Sequence, residues 1–137
     1  MTKEKKKYQP LTSELVFLVY EILQESSFVS FPAPNDAENK VESVVNTINN
    51  SHFGHTPYST MELKASAILF FLIKAHAFTD GNKRTAVSVF HVYCELNSLD
   101  VAFPVNKLDE VAVYVEQYQG NEHQDFIRKL AVLLFSL

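Results

Sequence analysis

The feature that most constrains the fold is a run of seven apolar residues, Ala67–Ile73, late in a segment with helical periodicity. The segment opens at Ser59 and Glu62, which have the spacing of a capping box, and extends to about Ala75. Its last turns are apolar on all sides, as is typical of a helix enclosed by other elements. Seven residues are too few to cross a bilayer, which takes about 20. The sequence therefore predicts a central buried helix and no membrane-spanning segment.

Five further helices are predicted from the same periodicity. With the central one, the predicted helices cover about residues 11–24, 35–48, 59–75, 82–96, 106–120 and 121–137. Thr12 or Ser13 is a candidate cap for the first helix, and Asn35 for the second, with Glu38 in capping-box position. The apolar stripe predicted for the first helix consists of Leu15, Leu18, Val19 and Ile22. Only a short piece near residues 52–58 is compatible with an extended strand, so the predicted fold class is all-α.

Composition indicates one globular domain, because 47% of the 137 residues are apolar and 20% are charged. We expect a flexible basic tail over residues 1–9, which holds four lysines near its start, and a single domain over residues 10–137. The net charge is −4 although the tail is basic, so the domain itself is acidic and nucleic-acid binding through phosphates is not expected. One cysteine excludes an internal disulfide, and no apolar signal core follows the charged N terminus, so the expected location is cytoplasmic.

Residues 76–86, with the sequence HAFTDGNKRTA, connect the central helix to the next one. Lys83 and Arg84 fall in the first turn of that next helix, where free N–H groups already carry partial positive charge. Cations are unfavourable there, by roughly a few tenths of a kcal/mol each. A bound phosphate would satisfy the cations and the N–H groups together. The segment therefore predicts an anion-binding turn.

The other residues of this turn supply the remaining parts of a phosphoryl-transfer site. Asp80 is a hard oxygen ligand, and one carboxylate with phosphates and waters is a common way to hold Mg²⁺. His76 can accept a hydroxyl proton near neutral pH. Gly81 permits a positive φ, Phe78 is an apolar anchor, and Asn82 can bind a phosphate or cap the helix. Each feature alone is ordinary turn chemistry, and it is their combination that indicates a site.

The same segment resembles the signature of the Fic/Doc family. The Fic form reads HPFx(D/E)GNGRxxR, and the Doc form, which belongs to a toxin–antitoxin module, ends its core with Asn-Lys-Arg. The matching positions are His76, Phe78, Asp80, Asn82, Lys83 and Arg84. Similarity extends over about residues 53–99. It implies an orthogonal bundle of about six helices, with a short flap over residues 51–58 that aligns a target protein as an added strand.

The resemblance also implies a reaction, in which a hydroxyl of a target protein attacks a phosphate of ATP in the presence of Mg²⁺. By this analogy His76 is the general base and Asp80 binds the metal. Arg84 is implied in catalysis and in phosphate binding. The residues implied in nucleotide binding are Phe78, Gly81, Asn82, Lys83 and Arg84, with Gly81 and Asn82 lining the anion hole.

Three positions depart from the Fic form, of which Ala77 is expected to affect only the rigidity of the turn and the other two bear on which group is transferred. Ala77 replaces the proline, Lys83 replaces the second glycine and Val87 replaces the final arginine. A lysine at position 83 would crowd the inner phosphates, and the lost arginine would have contacted them. These changes favour Doc-like transfer of the γ-phosphoryl group over transfer of AMP. The resemblance to Doc is compatible with a toxin that acts by this transfer. A silent nucleotide- or partner-binding module is the other alternative.

The family also uses a self-inhibitory helix, with the pattern Ser/Thr-x-x-x-Glu-Gly/Asn. The chain has no match to it, so any restraint is expected from a separate antitoxin-like partner.

Other candidate residues are given structural interpretations. His52 and His55 have a spacing that a metal can use, but no further ligand lies near them, so they are predicted to be surface or flap residues. His91 is predicted to pack in a buried helix, and His123 to begin the last helix without a partner. Cys94 is predicted to be a small core residue.

Overall fold

Six α-helices make up the fold in the computed structural model, which describes residues 8–26, 28, 32–50 and 57–136. They are α1 (Ser13–Glu25), α2 (Ala37–Asn49), α3 (Met61–Ala75), α4 (Asn82–Leu96), α5 (Leu108–Gln117) and α6 (His123–Phe135), and a 3₁₀ turn over Val105–Lys107 leads into α5. The described residues contain no strand. The prediction of an all-α bundle of six helices is confirmed.

The centre of the bundle is α3, as its apolar run predicts. It packs against α2, α4, α5 and α6, while α1 packs on α2 and α4. Every residue from Ala65 to Phe70 is buried, and Leu72 and Ile73 are at most 3% exposed. Because α3 packs against four other helices, its end at Ala75 positions the following turn within the bundle.

Each helix except α4 begins two residues later than predicted, and the caps differ from the sequence expectations in two cases. α3 is capped by Thr60, whose hydroxyl accepts a hydrogen bond from the Leu63 N–H at 3.1 Å, so the predicted capping box of Ser59 with Glu62 is wrong. α2 begins after Asp36, so Asn35 is not its cap. At α1, one of the two predicted candidates is the cap, since Thr12 accepts from the Leu15 N–H. The bounds of α4 are those predicted.

The buried face of α1 is rotated from the predicted stripe. Leu18 and Ile22 are 53% and 52% exposed, whereas Val16 and Tyr20 are buried together with Val19. Both sets repeat at helical spacing, so periodicity alone does not choose between them. In the structure the set with Tyr20 faces inward, where the Tyr20 ring stacks on Phe78.

Because α4 buries only one of its faces, Cys94 is buried and His91 is exposed. Cys94 is 2% exposed, as predicted, and burial with the charges of Glu95 and Glu62 raises the pKa of its thiol to about 12. His91 is not buried. It lies on the outer face with its Nε2 3.9 Å from the Glu95 carboxylate, because α4 buries only the face that carries Val89, Phe90, Tyr93 and Cys94.

Several sequence predictions fall outside the described residues. These are the lysine run at residues 3–7, His52, His55 and the flap before residue 57. Of the flap, Tyr58 is described, and its buried ring packs edge-on against Phe71 at 5.9 Å. No helix in the described part of the chain is long and apolar enough to cross a membrane.

Candidate active site

The connection between α3 and α4 is a tight turn with a left-handed residue at each end. His76, which ends α3, has φ 48° and ψ 48°, and Gly81, which begins α4, has φ 80°. Glycine adopts this conformation freely, whereas a histidine there is uncommon. Outliers of this kind concentrate at functional sites. The turn brings the side chains of residues 76 and 80 to the start of α4.

Phe78 anchors this turn to α1. Its ring is 3% exposed and stacks on Tyr20 at 3.9 Å with an interplanar angle of 9°, and it meets Phe17 edge-on at 5.9 Å. The ring therefore lies beneath the surface of the turn and not on its wall. Its position is that of the predicted apolar anchor, and it does not favour the direct contact with ATP that the resemblance implied.

Asn82 is the most connected side chain of the turn. Its Oδ1 accepts from the Phe78 N–H at 3.0 Å and its Nδ2 donates to the Phe78 carbonyl at 2.7 Å. This pair of bonds fixes which way the amide points. Nδ2 also lies 3.2 Å from His76 Nδ1, so Asn82 donates to the imidazole and the neutral ring carries its proton on Nε2. Asn82 is only 8% exposed, so the structure favours a role in holding the turn over a direct role in the anion hole.

The turn forms the floor of an open cleft of about 500 Å³. His76, Asp80 and Arg84 are exposed in it, and the backbone start of α4 faces it. The other wall is α5. The lining residues are Phe28, His76, Thr79, Asp80, Gly81, Asn82, Lys83, Arg84, Asp109, Ala112, Val113 and Glu116. All predicted site residues except Phe78 therefore line one cleft.

Both cations of the turn have partners within the chain. Lys83 Nζ lies 2.8 Å from Glu116 Oε2, and the Arg84 guanidinium carbon lies 5.0 Å from the centre of the Phe28 ring. The sequence argument that these cations call for a phosphate is thereby weakened for Lys83, because a carboxylate already neutralises it. The hydrogen bond from Lys83 lowers the pKa of Glu116, and the charges of Lys83, His76 and Lys74 act in the same direction.

The sequence reasoning missed every residue of the site outside the turn, among them Glu116, Phe28 and the underlying Tyr20. Glu116 is placed by α5, whose C-terminal end is tied to α3 because Lys74 donates to the Glu116 carbonyl at 3.0 Å. Phe28 follows α1. Tyr20 lies under the turn, where burial and then the charge of Asp80 raise the pKa of its hydroxyl. All three are distant from the motif in sequence, and no local pattern marks them.

The site fits a magnesium ion held mainly by a substrate. Among the described residues, no group of three or more His, Cys, Asp or Glu side chains is arranged to hold a metal. Asp80 offers one exposed carboxylate to the cleft, at the turn between α3 and α4. A single carboxylate is sufficient for Mg²⁺ when phosphate oxygens and waters complete its shell.

One comparison with known proteins, the scan against family models, found a match. No curated protein and no solved structure is significantly similar to the chain. The family model described as the Fic/DOC family matches residues 10–94, which is more than half of the 137 residues and includes the whole of the turn and of α3. The chain therefore belongs to the Fic/DOC family.

Proposed function

We propose that this protein transfers the γ-phosphoryl group of ATP to a hydroxyl group of a target protein. Membership of the Fic/DOC family supports nucleotide-dependent modification in general. The observation that carries the proposal is that a single cleft holds His76, Asp80 and Arg84 at the N-terminal end of α4. With the roles proposed for these residues, a base, a metal ligand and an anion-binding helix end would surround one volume large enough for a triphosphate.

In the proposed reaction, the target hydroxyl oxygen attacks the γ-phosphorus and the bond to the β–γ bridging oxygen breaks, so that ADP leaves. His76 accepts the hydroxyl proton at Nδ1, where the substrate hydroxyl replaces the donor Asn82. Arg84 and the N–H groups of α4 bind the charge on the phosphates. Asp80 would hold Mg²⁺, which neutralises phosphate charge when bound.

The choice of the γ-phosphoryl group over AMP rests on two residues of α4. Lys83 lines the cleft, and its side chain extends to Glu116 on α5. The lysine side chain therefore occupies space in the cleft next to the turn. Val87 is a partly buried apolar residue, so the family's final arginine has no substitute at this position. Both facts favour an outer phosphate as the group that meets His76.

ATP labelled in the α or γ position separates the alternatives. The protein is incubated with Mg²⁺, a cell extract and either label. Label from the γ position on a protein band supports the proposal, and label from the α position supports AMP transfer instead. We expect His76→Ala to lower transfer by about 100- to 10,000-fold, the usual contribution of a general base.

A matched control is His91→Ala, which removes an exposed histidine on the outer face of α4. It should transfer like the wild type. Absence of transfer from either position, with His76→Ala and the wild type alike, would remove the enzyme interpretation. The target is proposed to bind along the flap at residues 51–58, and a separate antitoxin-like inhibitor remains a prediction.

Glu116→Gln should tighten ATP binding by roughly two- to fivefold, since a partly exposed ion pair competes only weakly with a ligand. The substitution frees Lys83 and removes a carboxylate from a cleft that is to hold phosphates. Because its pKa is lowered, Glu116 keeps its charge to a lower pH than an unpaired glutamate does, and the pair is lost as pH falls through that lowered value. Calorimetric titration at low salt measures the gain.

Glu110→Gln on the same helix is the control for net charge, because Glu110 is exposed and outside the cleft. Equal affinities for the two variants would show that the gain comes from overall charge and that Glu116 does not compete with phosphate.

A further inference from the structure

The cleft has an aromatic side chain on its wall that phosphate chemistry does not use. Phe28 is 57% exposed, although phenylalanine is usually an interior residue. It lines the same cleft as His76, Asp80 and Arg84. One exposed apolar side chain needs no explanation by itself, so its placement and surroundings have to carry the argument.

The backbone holds Phe28 in a fixed position at the end of α1. Its N–H donates to the Leu23 carbonyl at 2.9 Å, and the Ser26 N–H donates to the Ile22 carbonyl at 3.0 Å. The first of these bonds is the one that closes a Schellman-type helix end. An apolar residue there commonly lays its side chain on the preceding turn. The ring of Phe28 remains largely exposed and faces the Arg84 guanidinium, 5.0 Å from its centre.

The part of the cleft formed by α5 is also apolar in part. Ala112 and Val113 line it from α5, and Val113 is 40% exposed. The cleft is thus bordered by an aromatic ring and small aliphatic groups, while its floor carries His76, Asp80 and Arg84. A ligand that matches both features has a flat aromatic part joined to phosphates, which describes a nucleotide.

We propose that Phe28 is the stacking platform for the base of the nucleotide, a role that rests on the proposed function. The base lies on the face of the Phe28 ring that the Arg84 guanidinium leaves open, and Arg84 binds phosphate of the same molecule. The Arg84 guanidinium already lies over this ring at the cleft, so the base and the phosphates would bind to neighbouring groups. Stacking on one ring is tolerant of the base, so affinity for any purine nucleotide is expected to depend on it.

The absence of tryptophan from the chain allows a direct test. Phe28→Trp places the only indole of the protein on the cleft wall, and it retains an aromatic platform. With Mg²⁺ present, ATP should change the emission of this indole because the base stacks on it. Inorganic tripolyphosphate, which has the phosphates without base or sugar, should bind without the same change.

The affinities of the Phe28→Ala variant for ATP and for tripolyphosphate give a second measurement. We expect ATP to bind about 5- to 100-fold more weakly than to the wild type, and tripolyphosphate to bind within about twofold of it. Tyr114→Ala is the matched control, since Tyr114 is a 61% exposed aromatic residue of α5 that does not line the cleft. It should bind both ligands like the wild type.

The outcomes separate this inference from the function on which it rests. If tripolyphosphate binds the wild type but Phe28→Ala binds ATP normally, the stacking role is wrong and the phosphate site stands. Equal emission changes with ATP and with tripolyphosphate would also overturn the stacking role. If neither ligand binds the wild type, the proposed function fails as well.

Discussion

Asn82→Ala is expected to lower the rate of transfer about a hundredfold at saturating ATP. The Asn82 amide pairs with the N–H and the carbonyl of Phe78 and donates to the imidazole of His76. Removing it leaves a buried backbone pair unsatisfied, at a cost of about 1–3 kcal/mol, and lets the turn that carries His76 shift, so that the imidazole is out of place when the target hydroxyl takes the position of Asn82 at Nδ1. A displacement of about 1 Å at reacting groups is enough for a loss of this size. The measurement is single-turnover transfer from γ-labelled ATP.

The chain contains a matched control for this experiment. Asn97, at the other end of α4, also pairs its amide with an N–H and a carbonyl, those of Gln9, at 2.8 and 3.0 Å. Asn97→Ala removes the same type of contact far along the helix from the cleft. It should lose stability and retain transfer. If both variants lose the same small fraction of transfer, Asn82 contributes to folding alone and does not position His76.

The parts of the fold that could be predicted are those determined locally. The apolar run of α3 requires enclosure wherever the other helices lie, and the sequence from Phe78 to Asn82 permits little except a tight turn followed by a helix. The bounds of α4 and the burial of Phe78 were therefore predicted correctly. The cap of α3 was not, because Ser59 and Thr60 are adjacent hydroxyl residues and only the local backbone decides which one meets the Leu63 N–H.

The parts that could not be predicted depend on which helix packs where. Glu116 follows Lys83 by 33 residues, and their ion pair exists only because α5 forms a wall of the cleft. Phe28 likewise contacts Arg84 only because α1 packs against α4 and ends close to the turn. His91 was predicted to be buried because α4 as a whole lies in the bundle, but which face of a helix is exposed depends on its neighbours. The sequence therefore indicated the residues of the turn but not Glu116 and Phe28, which contact the side chains of Lys83 and Arg84.

Phe78→Ala is expected to lower the free energy of unfolding by about 3–5 kcal/mol, a large part of the about 5–15 kcal/mol typical of a domain. The ring is 3% exposed, stacked on Tyr20 and in edge contact with Phe17. Its loss opens a cavity under the turn and removes two ring pairs, each worth about 0.5–1.5 kcal/mol beyond the area buried. Urea unfolding followed by circular dichroism measures the change.

Two variants keep this prediction testable if Phe78→Ala does not fold. Phe78→Leu fills part of the cavity and should lose only about 1–2 kcal/mol, which comes mainly from the ring pairs. Phe28→Ala makes the same chemical change at a 57% exposed site and should cost less than about 1 kcal/mol, because only the contact with Arg84 is lost. Equal losses at positions 28 and 78 would contradict the anchoring role of Phe78, and with it the means by which α1 holds His76 and Asp80 at the start of α4.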